Sequence, residues 1–265
     1  MRLDDYLGRI GISRPLAATA GVLRRIHRAH REAFLFENLT IQTGGTISVA
    51  LVDLERKFLD EGRGGYCFEH NTLFAAALAD LQFAPTTLLG RVRRGPPAEW
   101  GRTHMVLRIP VDGTVWLADV GFGAQSLIEP IPLEDGAVAE QLGLVYRMRR
   151  EDHLWVLSAR DDAGTIDLYE FSEEPQTPAD VVIANHYTAT HPASVFRRTL
   201  TIQRATRDER IVFRGDTLVR SRDGRTTEER IERARLQETV REVFGIGMPA
   251  GPFVCDRFAE QAALF

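Results

Sequence analysis

The stretch Arg63-Gly64-Gly65-Tyr66-Cys67-Phe68-Glu69-His70-Asn71 leads directly into an apolar, alanine-rich run. The two glycines predict a tight turn, and residues 68–81 predict a helix. Cys67 is therefore expected at a helix N-terminus, where unpaired backbone N–H groups and the positive end of the helix dipole favour a thiolate. We interpret Cys67 as a candidate nucleophile.

Two downstream segments supply candidates for a base and for a group that orients the base. His104 lies in a strand-like run at residues 103–109, and Asp119 lies in the next run, at residues 115–120. A nucleophilic thiol needs both partners to be activated. The sequence therefore predicts a catalytic triad of Cys67, His104 and Asp119.

The segment Pro110-Val111-Asp112-Gly113 joins the two runs, and its Asp-Gly pair is a strong hairpin signal. A two-residue loop would place Asp119 diagonal to His104 on the same face of the sheet. A four-residue loop, which the missing N–H of the proline favours, would place the two residues directly opposite each other. Their Cβ atoms would be about 7–8 Å apart in the first case and about 5 Å apart in the second. A three-residue loop would put them on opposite faces and exclude the contact.

Composition limits the class of protein. With 265 residues and 44% hydrophobic content, the chain can form one large domain or two to three small ones. The net charge of −4 argues against nucleic acid as a main partner. No apolar run approaches the roughly 18 residues of a membrane span, and the first residues lack the apolar core of a signal peptide. Two distant cysteines, Cys67 and Cys255, indicate a reduced, cytoplasmic protein.

We expect no metal site, because the histidine pairs lack a third ligand at a suitable spacing. These pairs are His27 with His30, and His186 with His191. Seven arginines between residues 204 and 225 could contact the phosphate groups of a ligand. Because they alternate with acidic residues, we favour their interpretation as a solvated face.

The predicted secondary structure changes from helices to strands along the chain. Helical spacing predicts a helix at residues 15–30, so that residues 1–85 are mostly helical. Short strands are predicted at residues 86–92, 105–109, 115–120, 145–148 and 154–158. Consecutive hairpins of this kind indicate an antiparallel barrel or a curled sheet. Further strands are predicted at residues 200–204, 210–213 and 217–220, followed by a helix that opens at the capping box Thr226-x-x-Glu229 and stops at Gly245.

The Cys67 stretch closely resembles the nucleophile motif of the arylamine N-acetyltransferases. Further segments resemble motifs of this family in the same order. They are Phe36-Glu37-Asn38-Leu39, Thr103-His104, Asp119-Val120-Gly121-Phe122-Gly123 and Asn185-His186-Tyr187 with residues 190–196. One departure is Leu35, where the family usually has proline before the phenylalanine.

The resemblance implies an α+β, multidomain fold with a papain-like (cysteine proteinase-like) arrangement of the catalytic core. A helical domain at residues 1–85 would carry the nucleophile. A central antiparallel β-barrel at residues 86–190 would carry His104 and Asp119. An α/β lid would follow at residues 191–265.

The resemblance also implies acetyl transfer from acetyl-coenzyme A to the nitrogen of an arylamine or arylhydrazine. The mechanism would be ping-pong, through an acetyl-cysteine at Cys67, with no permanently bound cofactor. Substrate contacts are expected from Phe36, Thr103, Phe122 and Gly123. The expected partners are the small-molecule amine or hydrazine and coenzyme A, without nucleic acid or membrane, and the oligomeric state is left open.

Two alternatives use the same triad. An amide synthase of the same superfamily would act on a carrier-bound acyl chain. A papain- or transglutaminase-like cysteine hydrolase would leave acetyl-coenzyme A intact and would cleave or cross-link peptides. A non-catalytic binding protein is disfavoured, because binding alone does not require this trio of residues.

Overall fold

The computed structural model of the protein describes residues 1–14, 17–161 and 163–249, which form helices and two antiparallel sheets. The α-helices in this part of the chain are α1 (Leu3–Arg9), α2 (Ala20–Ala33), α3 (Leu39–Gln42), α4 (Leu51–Glu55), α5 (Cys67–Asp80), α6 (Pro178–Thr190), α7 (Val195–Arg198) and α8 (Leu236–Phe244). The strands are β1 (Phe36–Glu37), β2 (Thr86–Val92), β3 (His104–Val111), β4 (Thr114–Ala118), β5 (Ile131–Pro132), β6 (Val138–Gln141), β7 (Leu144–Glu151), β8 (Leu154–Asp161), β9 (Gly164–Phe171), β10 (Thr201–Ala205), β11 (Glu209–Arg214), β12 (Thr217–Arg222) and β13 (Arg225–Arg230).

The larger sheet has eight strands in the order β5-β4-β3-β2-β9-β8-β7-β6 and curls into a nearly closed barrel. The side chain of Gln141, at the end of β6, joins the two edges of this sheet. Its Oε1 accepts the N–H groups of Ile128 and Glu129, just before β5, at 2.7 and 3.0 Å. The predicted antiparallel barrel is therefore confirmed, whereas the division into domains at residues 85 and 190 stays a prediction.

The smaller sheet has the strand order β1-β10-β11-β12-β13. Its first strand comes from the N-terminal part of the chain, because Phe36 pairs with Gln203 and Glu37 pairs with Ile202. One face of this sheet packs on α8 in an apolar cluster of its own. The sheet is thus built from segments that are far apart in the sequence.

The hairpin between β3 and β4 has the two-residue loop, with Val111 paired to Thr114. Asp112 and Gly113 have φ values of 53° and 74°, as a type I′ turn requires. Pro110 pairs with Val115, and the pairing of β2 with β3 ends earlier, at Arg108. The proline therefore costs no ladder hydrogen bond, which is why the predicted four-residue alternative is wrong.

Helix α5 confirms the predicted helix and is buried along most of its length. It packs against β3, whose alternate residues Met105, Leu107 and Ile109 join its core cluster. Val106, on the opposite face of β3, points into the interior of the barrel. Both faces of β3 are therefore buried, one against α5 and the other inside the barrel. In this way β3 attaches α5 to the barrel.

The turn before α5 lies against the backbone at β1. Gly65 donates its N–H to Leu35 O at 3.2 Å, and Glu37 donates its N–H to Gly65 O at 2.7 Å. A Cβ atom on Gly64 would lie 1.8 Å from Leu35 O. Because the obstructing atom belongs to the backbone, only glycine fits at this position.

Gly64→Ala is expected to lower the free energy of unfolding by about 3 kcal/mol or more, since one of the two backbone segments must move. Urea denaturation measures this change. Gly8→Ala is the matched control, because it adds the same methyl group inside α1 with no atom within 4 Å. The control should leave stability unchanged or raise it by about 0.5–1 kcal/mol. Equal unfolding midpoints for the two variants would contradict the expected clash between a side chain at position 64 and Leu35 O.

The sequence predictions about helices need correction at several points. The helix predicted from residue 15 begins at Ala20, after its N-cap Thr19, and Pro15 lies outside the described residues. The predicted capping box is wrong, because residues 226–229 lie in β13. Asp223 and Gly224, with φ values of 50° and 71°, form a turn that pairs β13 with β12.

The helix predicted after the capping box begins instead at Leu236, and it ends before Gly245 as expected. Helix α6 occupies a region for which only strands were predicted. Within the described ranges, no helix is both long and apolar enough to cross a membrane. Cys255 lies outside the described residues.

Candidate active site

Cys67 is the first residue of α5, and its side chain is buried. Its Sγ donates a hydrogen bond to Thr103 O, just before β3, at 3.7 Å. Burial and the Asp119 carboxylate raise the pKa of the thiol, while the backbone N–H groups of Met105 and Phe68 lower it. The first two effects dominate, so Cys67 does not lose its proton to solvent at neutral pH.

His104 and Asp119 are in direct contact. The Nε2–H of His104 donates to Oδ2 of Asp119 at 2.8 Å, and both side chains are buried. Burial opposes ionisation of Asp119, but the charge and hydrogen bond of His104 outweigh it. Hydrogen bonds from the N–H of Gly121 at 2.8 Å and from Asn71 at 3.1 Å act in the same direction. Together they lower the pKa of Asp119 to about 2, so the carboxylate is ionised.

The hydrogen bond to Asp119 fixes the tautomer of His104. With a proton on Nε2, the neutral imidazole has Nδ1 as its unprotonated nitrogen. Cys67 and His104 line one cavity. Moving the thiol proton to His104 leaves the net charge of this buried group unchanged, whereas losing it to solvent adds a second buried negative charge. A thiolate is therefore favoured only together with an imidazolium.

Asn71 links α5 to β3 and to the segment that follows β4. It lies four residues after Cys67, on the same face of α5. Its Nδ2 donates to Met105 O at 2.7 Å and to Oδ1 of Asp119 at 3.1 Å. Its Oδ1 accepts the N–H of Val120 at 3.2 Å. No role for Asn71 was predicted, although its spacing of four residues from Cys67 in a helix is a usable signal.

His27 holds the backbone of Asp119 from the opposite side. Its Nδ1–H donates to Ile128 O at 2.9 Å, and its Nε2 accepts the N–H of Asp119 at 3.2 Å. Burial lowers the pKa of His27 to about 4, which keeps the acceptor nitrogen unprotonated. The neighbouring His30 bonds to His70 of α5 at 2.9 Å. Both histidines therefore connect structural elements of the site, a role that the sequence did not indicate.

Gly121 allows the aspartate segment to approach α5 closely. A Cβ atom at this position would lie 2.7 Å from the Cα atom of Cys67 and 2.8 Å from Nδ2 of Asn71. Glycine is therefore the residue that fits between the Asp119 segment and α5.

The cavity beside Cys67 has a volume of about 410 Å³. Phe36, Thr103 and Phe122 line it, as predicted for substrate contacts, and the ring of Phe122 packs edge-on against His104 at 4.9 Å between centroids. Gly123 does not line the cavity. Its carbonyl accepts a hydrogen bond from Arg31 at 2.7 Å.

The smaller sheet closes the cavity on one side. Thr201 and Gln203 of β10 and Val212 and Arg214 of β11 share the face that lines it. The interpretation of Arg214 as part of a solvated face is therefore wrong. Among the described residues, no group of three or more histidine, cysteine, aspartate or glutamate side chains is placed to hold a metal ion.

Comparison with known proteins gives consistent results over almost the whole chain. A family model described as N-acetyltransferase matches residues 19–252. An arylamine N-acetyltransferase of Mycolicibacterium smegmatis is 37% identical over 98% of this chain and 98% of its own length. One from Escherichia coli (strain K12) is 33% identical over 99% of this chain and 96% of its own.

Solved structures agree with these similarities. The M. smegmatis arylamine N-acetyltransferase superimposes with a TM-score of 0.90 and 36% identity, over 98% of both chains. The Mycobacterium marinum arylamine N-acetyltransferase in complex with CoA superimposes with a TM-score of 0.85 and 34% identity, over 92% of each chain.

Proposed function

The chain belongs to the arylamine N-acetyltransferase family, and on this premise we propose that it transfers the acetyl group of acetyl-coenzyme A to the nitrogen of an aromatic amine or hydrazine. The observation that carries the proposal is the 2.8 Å hydrogen bond between His104 and Asp119, with Cys67 in the wall of the same cavity. These are the parts that covalent acyl transfer needs: a nucleophile, a base and a group that orients the base.

In the first half-reaction, Nδ1 of His104 takes the thiol proton of Cys67. The thiolate attacks the carbonyl carbon of the thioester. The tetrahedral intermediate then expels the coenzyme A sulfur, which takes the proton from the imidazolium. Acetyl-Cys67 and free coenzyme A result, with His104 again neutral.

In the second half-reaction, the amine nitrogen attacks the carbonyl carbon of acetyl-Cys67, and His104 accepts a proton from that nitrogen. The intermediate expels the Cys67 sulfur and releases the acetylated amine, which regenerates the thiolate–imidazolium pair. The first-turn N–H groups of α5 have no partner within the helix. In this proposal the N–H of Cys67 is one donor to the oxyanion of both intermediates.

The aromatic acceptor is expected to pack between Phe36 and Phe122, which supply the apolar wall that such a ligand needs. Thr103 lies beside the sulfur and completes the substrate contacts that we propose. On this interpretation α5 supplies the nucleophile and the barrel supplies the base, in a papain-like core, and the smaller sheet acts as the lid.

Mass spectrometry of the intact protein after mixing with acetyl-coenzyme A tests the proposal. We expect one added acetyl group, located on Cys67 by peptide mapping and lost when an aromatic amine is added. A hydrolase would form no such adduct and would cleave or cross-link peptides. An amide synthase would be acylated by a carrier-bound acyl chain and not by acetyl-coenzyme A. Absence of an adduct under native conditions therefore rejects the proposed function.

A further inference from the structure

Three arginines line the active-site cavity, Arg94, Arg198 and Arg214, and Arg94 and Arg214 lie on different walls of it. Arg94 follows β2 in the loop that leads to β3, and it is exposed. Arg214 is the last residue of β11 and lies opposite Thr201 of β10. Its side chain is half-buried, on the sheet face that lines the cavity. The barrel and the smaller sheet thus each contribute one guanidinium to the same cavity.

Neither guanidinium forms a hydrogen bond or an ion pair with a residue that the structure describes. The contrast with Arg93 is direct, because this adjacent arginine contacts the carboxylates of Glu151, Asp167 and Glu170. Glu99 also lines the cavity, but it forms no ion pair with Arg94 or Arg214 in the described part of the chain.

The two arginines also affect each other. Burial lowers the pKa of Arg214 to about 10, and the positive charge of Arg94 contributes to this shift. Desolvation by the surrounding cavity wall lowers the pKa of Arg94 as well, even though its side chain keeps access to solvent. Bringing two like charges together in a partly desolvated cavity is unfavourable unless an anion offsets them. The arrangement therefore fits a ligand that brings its own negative charge.

We propose that Arg94 and Arg214 together bind an anionic group of a substrate, a carboxylate or a phosphate, at the mouth of the cavity. This inference rests on the proposed function, which supplies two possible sources of the anion. One source is a phosphate of coenzyme A, and the other is an acidic substituent on the aromatic acceptor. Planar guanidinium groups bind either anion through paired, charge-assisted hydrogen bonds.

Pairs of charged and uncharged substrates distinguish a coenzyme A phosphate from an acidic substituent of the acceptor. They are tested with Arg94→Gln, Arg214→Gln and the variant that carries both substitutions. Acetylation of the protein is measured with acetyl-coenzyme A and with p-nitrophenyl acetate, which carries no phosphate. Transfer to the amine is measured with 4-aminobenzoate and with 4-methylaniline, which differ in charge. We expect kcat/KM of the double variant to fall at least tenfold for the anionic member of one pair and to change less than twofold for its neutral counterpart.

A loss confined to acetyl-coenzyme A assigns the site to a phosphate, and a loss confined to 4-aminobenzoate assigns it to a carboxylate. Equal losses with all four substrates, or no loss, would overturn the inference. Arg225→Gln is the matched control, because it removes the same charge from an exposed position in β13. It should leave all four rates unchanged, which excludes an effect of overall charge.

Calorimetric binding separates this inference from the proposed function. The affinities of coenzyme A and 4-aminobenzoate for the wild-type protein and the double variant are measured without turnover. An at least tenfold weaker affinity for one of them in the variant supports the anion site even if no acetyl group is transferred. Unchanged affinity for both rejects the anion site even if the wild-type protein proves to be an acetyltransferase.

Discussion

Cys67→Ser is expected to form no acetyl adduct and to lower kcat by about 10⁵-fold or more, as loss of a covalent nucleophile does in other enzymes. The reason lies in the environment of the side chain. Burial and the nearby carboxylate of Asp119 already raise the pKa of the thiol. A serine hydroxyl is a much weaker acid than a thiol, so His104 cannot ionise it in the same surroundings.

The measurement combines mass spectrometry of the protein with steady-state turnover. Cys255→Ser is the matched control, since the chain has only two cysteines. This control should keep both the adduct and the wild-type rate. Thermal unfolding should show that Cys67→Ser is folded, because the hydroxyl group is smaller than the thiol and fits the same site without a clash. An adduct retained in Cys67→Ser and lost in Cys255→Ser would transfer the role of nucleophile to the other cysteine.

Asp119→Asn is expected to lower kcat about 10⁴-fold, the effect that a wrong histidine tautomer has in a triad. In the wild-type protein, Oδ1 of Asp119 accepts hydrogen bonds from Asn71 and from the N–H of Gly121. Because Asn71 and Gly121 both donate here, the oxygen of the introduced amide must occupy the position of Oδ1. The amide NH₂ group then faces Nε2 of His104 and forces this nitrogen to accept. The proton moves to Nδ1, and His104 loses the nitrogen with which it acts as a base.

Asp112→Asn is the matched control, because the same change at the β3–β4 turn leaves the hydrogen bond of His104 intact. Asp112 Oδ2 accepts the N–H of Ala20 at 2.7 Å, and an amide oxygen can replace it. The control should keep the wild-type rate. A rate for Asp119→Asn within tenfold of wild type would mean that another group orients His104. Single-turnover acetylation by acetyl-coenzyme A shows directly whether the first half-reaction is the step affected.

Features with a short-range cause were predictable from the sequence. The Gly-Gly turn before Cys67 and the apolar run after it were sufficient to predict α5. The Asp112-Gly113 pair predicted the hairpin that brings His104 and Asp119 to one face of the sheet. In both cases a few adjacent residues determine the backbone conformation, so distant parts of the chain have little influence.

Other features depend on contacts that no local pattern encodes. The pairing of β1 with β10 joins segments that are far apart, and two-residue β1 has no strand signal of its own. Residues 226–229 match a capping box, but their pairing with β12 outweighs that local preference. The roles of His27 and Asn71 depend on the position of Asp119, which is known only once the barrel and α5 are packed together.

The contribution of β1 to the smaller sheet affects how the protein forms during its synthesis. Glu37 precedes Thr201 by 164 residues. Ribosomes add about 5–20 residues per second, so β1 waits roughly 8–33 s for its partner strand. The turn before Cys67 is hydrogen-bonded to the segment at β1. We therefore expect the packing around Cys67 to be completed only when translation is nearly finished. Nascent chains stalled before β10 should accordingly remain sensitive to protease near residue 36, and the mature protein should not.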